Sequence, residues 1–174
     1  TAPHYLILDD SMLKEDGRFK MNPPLRSRED REALIQGVLN GTIDMIATDH
    51  APHSKEEKSQ GLEKSMNGVV GLETSFPTLY TALVKPGILP LHRLIELMSV
   101  SPNQRFGFQM PSLQDSFTLF DLSDNYTVDP DQFLSMGRST PFQGMEVYGR
   151  CLATVYKNKA VWLDKSTLYF KEEA

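Results

Sequence analysis

Residues Ala47-Thr48-Asp49-His50-Ala51-Pro52-His53 set one aspartate and two histidines directly after the apolar run of Ile43, Met45, Ile46 and Ala47. Gly41 is a stop signal for a preceding helix, so the run reads as a short strand that ends where the polar cluster begins. In a parallel α/β barrel the carboxyl ends of the strands line the mouth of the active site, and a chemically rich cluster at that end reads as catalytic. Asp49 is therefore the first candidate.

Working upstream, Ser27 is suited to cap a helix, with Asp30 three residues on, and Leu34, Ile35, Val38 and Leu39 share one face as far as Asn40. Before it, Ala2 to Leu8 reads as a strand entering from something earlier. Strand, helix and strand make a βαβ unit with parallel strands and a right-handed crossover. These would be the last two strands of the barrel.

Downstream, the charged stretch from Ser54 to Gly68 reads as a solvated loop with at most one helical turn. Glu73 to Val84 is predicted helical despite Pro77, and Leu91 to Val100 is a second amphipathic helix, with Ser101-Pro102 opening a short third. Beyond Gly107 the pattern shortens to alternating runs at Phe117 to Leu122, Cys151 to Tyr156 and Ala160 to Leu163, with Lys157-Asn158-Lys159 as a hairpin turn. The expected division is a barrel portion over residues 1–107 and a small β domain over 108–174.

The 18 basic and 23 acidic side chains leave a net charge of -5 with no clustered Lys and Arg, which excludes a polyanion partner such as nucleic acid. The longest apolar runs fall far short of the ~20 residues that a bilayer-spanning helix requires. Cys151 is the single cysteine, so neither an internal disulfide nor a thiolate metal cage can form, as in a reducing compartment. A soluble, cytoplasmic protein is expected.

ATDHAPH with the following Glu56, Glu57 and Lys58 resembles the signature of the class I dihydroorotase family, in the metal-dependent amidohydrolase superfamily. Met21 to Ser27 (MNPPLRS), Asn67 to Thr74 (NGVVGLET) and Ser139 to Gly144 (STPFQG) follow the family's order and approximate spacing. Fold, reaction and site follow as implications of that resemblance. The fold would be the last part of a (β/α)8 TIM-type barrel followed by a small β domain, the latter completed by amino-terminal strands outside this chain. Since a whole barrel takes roughly 250 residues, 174 residues would be a carboxyl-terminal portion.

The reaction would be the reversible cyclisation of N-carbamoyl-L-aspartate to L-dihydroorotate in pyrimidine synthesis, with zinc, two ions in the full-length enzyme, as cofactor. Asp49 would ligate one ion and act as general base and acid. A carboxylate suits both tasks: it is ionised at neutral pH, yet can take a proton from water that zinc acidifies to a pKa of about 7. His53 would bind the substrate carboxylate through its N–H donors, Asn22 would hydrogen-bond the ring amide, and Asn67 and Gly68 would do so through their backbone.

His50 reads as a supporting or structural residue, His92 as a helix-surface residue without chemistry, His4 as structural, and Arg26 as the partner of a scaffold carboxylate. Where the family carries a second histidine after His4, this sequence has Tyr5. The remaining metal ligands would lie outside the chain, so the 174 residues alone are expected to bind no metal pair and to be inactive. Implied partners are a second copy in a homodimer and aspartate transcarbamoylase. The alternatives are a related cyclic amidase, such as a hydantoinase or allantoinase, and a non-catalytic scaffold for aspartate transcarbamoylase.

Overall fold

Residues 1–164 are described by a computed structural model of the chain; the last ten positions of the predicted 108–174 domain lie outside the described residues. Helices occupy the first two thirds and an antiparallel sheet the last third. Among the described residues no helix is long and apolar enough to cross a membrane.

Helix α1 (Pro3–Ile7) stands where a strand was predicted. Pro3 occupies its first turn, where the fixed φ is pre-set for a helix and the missing N–H costs nothing, and five residues carry too little periodicity to separate helix from strand. Only Thr1 keeps strand-like pairing: its amino group donates to the Met45 carbonyl at 3.1 Å and its own carbonyl accepts from Ala47 N at 2.9 Å. The run Ile43–Thr48 bends at Ile43 and then forms neither helix nor strand. Its Ile46 N–H bonds the Leu97 carbonyl at 3.0 Å, so the apolar run is held by a helix and by Thr1. The predicted βαβ pairing is thus absent among the described residues, while the helix inside it is present.

That helix, α2 (Arg28–Leu39), begins with a complete capping box: Ser27 Oγ accepts from Asp30 N, and the Asp30 carboxylate accepts from Ser27 N. After the one-turn helices α3 (Lys55–Lys58) and α4 (Gly61–Lys64), α5 (Ser75–Leu79) continues into a π-helical turn (Tyr80–Val84). Pro77 sits in the first turn of α5, the position where proline is tolerated. Likewise α6 (Leu91–Ile95), a π-turn (Glu96–Val100) and α7 (Ser101–Phe106) follow one another until Gly107, whose left-handed φ of 68° ends the run.

Leu6, Val38, Ile46, Leu79, Leu83, Leu89, Leu94 and Leu97 form the main core. Each such side chain stabilises the fold by roughly 1.5–3 kcal/mol through apolar burial.

Strands β1 (Phe117–Thr127), β2 (Glu146–Tyr156) and β3 (Lys159–Leu163) form a sheet in that order, antiparallel throughout. Pairing runs from Phe117↔Val155 to Thr127↔Glu146, with irregularities at Leu119/Phe120 and Asp121/Asn125. The β2–β3 turn has Lys157 and Asn158 at φ 49° and 61°, the left-handed pair that a two-residue hairpin requires. Phe120 stacks on Phe76 of α5 at 3.9 Å between ring centroids, which joins the sheet to the helices.

Candidate functional site

Asp49 follows the irregular Ile43–Thr48 segment and itself has a φ of 51°, a left-handed backbone that non-glycine residues rarely adopt. Such strain persists only where its surroundings over-determine it, and it is common at functional sites. The carboxylate is 53 % exposed, and His4 Nε2 lies 4.0 Å from it. His4 is buried with Nε2 lacking a hydrogen bond; burial, opposed by the Asp49 charge, pushes its pKa down to about 4 and keeps the ring neutral. Tyr5 donates its hydroxyl to the Pro23 carbonyl at 2.7 Å. Burial and then the Asp49 charge raise that phenol to about 12, so it stays a donor.

The structure brings His53, Asn67 and Gly68 into contact. His53 Nε2 lies 2.9 Å from the Asn67 carbonyl and Nδ1 lies 3.3 Å from Glu57 Oε2. Both facing groups are acceptors. Gly68 lies against the same loop, and a Cβ on it would sit 2.6 Å from the Ala51 carbonyl and 3.1 Å from His53 Cδ2. Its φ of 137° is likewise open only to glycine in practice.

The Gly68 N–H donates to the Lys20 carbonyl at 3.0 Å, two residues before Asn22. Phe19, Met21, Leu25 and Val69 pack together behind these two loops. Asn22 is exposed on the loop so anchored. Asn67 O and Gly68 N therefore already have protein partners, and a bound ligand would replace one of them.

His50 is a structural residue: its Nδ1 accepts from Gly71 N at 3.2 Å and Leu72 N at 3.4 Å. Arg26 pairs with Asp30 at 3.7 Å, and His92 is exposed on α6. Three features went unread in the sequence. They are the buried Lys58, the Tyr5 hydroxyl bond, and Glu73, which accepts from Ser135 N and Oγ at 2.8 and 2.7 Å. Lys58 carried a signal, since it stands nine residues after Asp49 within the same motif, but spacing could not tell an inward lysine from a solvated one.

An open cleft of about 670 Å³ is lined by Arg18, His53, Lys55, Asp131 and Arg138 among others, yet neither Asp49 nor Asn22 lines it. The conjunction of strained backbone, exposed carboxylate and imidazole marks the candidate site better than this volume does. Among the described residues no three His, Cys, Asp or Glu side chains converge as a metal site would require. Asp49 can supply one ligand to a metal pair, and the others would have to come from elsewhere.

No protein-family model matches the chain. The dihydroorotase of Shouchella clausii is 51 % identical over 166 residues, covering 92 % of this chain and 39 % of that protein. The dihydroorotase of Bacillus cytotoxicus is 48 % identical over 172 residues, covering 96 % and 40 %. In structure, the L-hydantoinase of Arthrobacter aurescens aligns with a TM-score of 0.81 at 33 % identity, over 92 % of this chain and 38 % of that one. The D-hydantoinase of a Bacillus sp. AR9 aligns at 0.82 and 27 %, over 95 % and 39 %. These neighbours are TIM-barrel enzymes of the amidohydrolase group, and the chain shares their α/β architecture with a small sheet. It spans about two fifths of the length of the curated relatives it matches. The similarity to dihydroorotases thus runs at about half identity over nearly all of this chain's residues.

Proposed function

We propose that the chain is the carboxyl-terminal portion of a dihydroorotase, residues 1–107 closing the barrel and 108–174 forming the small β domain. On this reading it works in the cytoplasm on the interconversion of L-dihydroorotate and N-carbamoyl-L-aspartate. The observation that carries the reading is Asp49, a solvent-reachable carboxylate on a strained backbone immediately before a loop whose imidazole, His53, contacts Asn67.

Hydrolysis adds water across the ring amide: oxygen goes to the carbonyl carbon, the C–N bond breaks, and a proton goes to the departing nitrogen. Asp49 is the group on this chain that can take a proton from water and deliver it there. His4, buried and neutral, lies 4.0 Å from the Asp49 carboxylate. His53 exchanges its Asn67 carbonyl for the substrate carboxylate, and Asn22 and the Asn67-Gly68 backbone hold the ring amide. A bound metal, zinc in the family expectation, would supply Lewis acidity at the carbonyl, and Asp49 is the residue of this chain that would hold it.

In the full-length enzyme containing this chain, Asp49→Asn should lower kcat for dihydroorotate at least about a thousandfold with unchanged thermal melting. Retained turnover would overturn the assignment. A second reading, a cyclic amidase of other specificity, has behind it only the hydantoinase neighbours, which are less identical than the dihydroorotases. Comparing dihydroorotate with hydantoin, dihydrouracil and allantoin as substrates separates the two.

A further inference from the structure

Lys58 ends the one-turn helix α3 and is buried, 7 % exposed. Its Nζ donates to three backbone carbonyls: Lys20 at 3.0 Å, Met66 at 2.7 Å and Gly68 at 2.7 Å. An ammonium has three protons, and all three are committed. None is left for a ligand, so Lys58 is neither a substrate contact nor a proton carrier in this arrangement.

The three carbonyls come from the two loops flanking His53. Lys20 leads into Met21-Asn22, and Met66 and Gly68 bracket Asn67. The Gly68 N–H to the Lys20 carbonyl is a further bond between the same two loops. The helix that carries Lys58 also carries Glu57, which lies 3.3 Å from His53 Nδ1 and 2.8 Å from Ser54 N. One short helix therefore fixes the imidazole through Glu57 and both neighbouring loops through Lys58. Gly17 accommodates this packing, since a Cβ there would meet the Lys58 carbonyl at 2.1 Å.

Burying an ammonium is costly, and here burial, with Lys20 nearby and Asp16 opposing, lowers its pKa to about 8. An apolar side chain of similar length would leave the Lys20, Met66 and Gly68 carbonyls without this donor and so untie the two loops from each other.

We propose that Lys58 is a positioning residue for substrate binding: its ammonium holds the Asn22 loop and the Asn67-Gly68 backbone in register with His53. It thereby governs affinity for an anionic cyclic amide and leaves bond cleavage at Asp49 to proceed at its own rate. This rests on the reading of the site as a dihydroorotase's.

The test is steady-state kinetics on the full-length enzyme for wild type, Lys58→Met and Lys58→Arg, with metal content and melting temperature measured alongside. Lys58→Met should raise KM for dihydroorotate about tenfold or more with kcat within about threefold and metal content unchanged, and Lys58→Arg should recover part of the KM. An unmoved KM in Lys58→Met, or a fall in kcat at constant KM, overturns the inference. So does a failure of both variants to fold, which would make Lys58 a stability residue. If the wild type turns over no dihydroorotate, the reading of the site fails and the inference falls with it. An active wild type with unaltered Lys58→Met sinks the inference alone.

Discussion

Glycine at 68 is required twice over, by its φ of 137° and by the Ala51 carbonyl that a Cβ would meet at 2.6 Å. Gly41 has a φ of 82° and nothing within 4 Å of its missing Cβ, so it carries the conformational requirement without the clash. Gly68→Ala should therefore destabilise by at least about 2 kcal/mol, lowering Tm by about 5 °C or more, whereas Gly41→Ala should cost about 1 kcal/mol. Thermal melts of the two variants check this, and equal losses would remove the steric half of the argument. At this scale the sequence pointed to single residues and was silent on how they are joined. ATDHAPH pointed to Asp49 and His53, but the bonds from His53 to Asn67 and from Lys58 to three carbonyls join residues 8 to 38 positions apart, which no local pattern encodes.

Helix α2 was legible because its start is written locally: Ser27 and Asp30 satisfy each other's backbone N–H groups whatever the rest of the chain does. Ser27→Ala should cost about 1 kcal/mol in chemical denaturation, and a loss below a few tenths would show that water caps the helix equally well. Helix α1 and the irregular Ile43–Thr48 segment differ from the strands the sequence suggests because strand identity depends on neighbours: an apolar run pairs only if another strand lies beside it.

The same elements yield a pH prediction. Asp9 is buried, accepts from Ser11 N and Oγ, and pairs with Arg31 of α2 at 2.9 Å. The Ser11 hydroxyl and then the Arg31 guanidinium, against the cost of burial, hold its carboxyl below the usual carboxylate value. A depressed folded-state pKa means the unfolded chain binds the proton first, so this contribution is present above the ordinary carboxylate range and is lost as pH falls through it. Asp9→Asn should be less stable than wild type at neutral pH, and the gap should narrow on acidification to about pH 3. Urea melts at both pH values measure it, and a constant gap would sink the claim.

Across the whole chain, the question is whether sheet and helices melt together. The sequence located the change of texture after Gly107 and the β2–β3 hairpin, because alternation and turn residues are local signals. It was silent on how the sheet docks, which depends on side chains distant in sequence. Phe76 stacks between Tyr80 at 5.9 Å and Phe120 at 3.9 Å, Lys85 lies 3.2 Å over the Tyr148 ring, and Ile7 and Leu8 pack on the Val128, Phe142 and Val147 cluster. A hydrogen bond from a strand backbone to a helix side chain runs from Tyr148 N to Thr81 Oγ1 at 2.8 Å. Thr81→Val keeps the volume and removes the acceptor, leaving a half-buried N–H unsatisfied at a cost of about 1–3 kcal/mol. Because apolar contacts across this seam are continuous with the helical core, the loss should shift one cooperative transition by roughly 5 °C, not release the sheet. Melting followed by far-ultraviolet circular dichroism and by Trp162 fluorescence on β3 tests this, since the two probes report the helices and the sheet respectively. Coincident curves moving together support a single unit. A fluorescence transition that moves while the helical signal stays put would mean that the sheet is an independent folding unit resting on the helices.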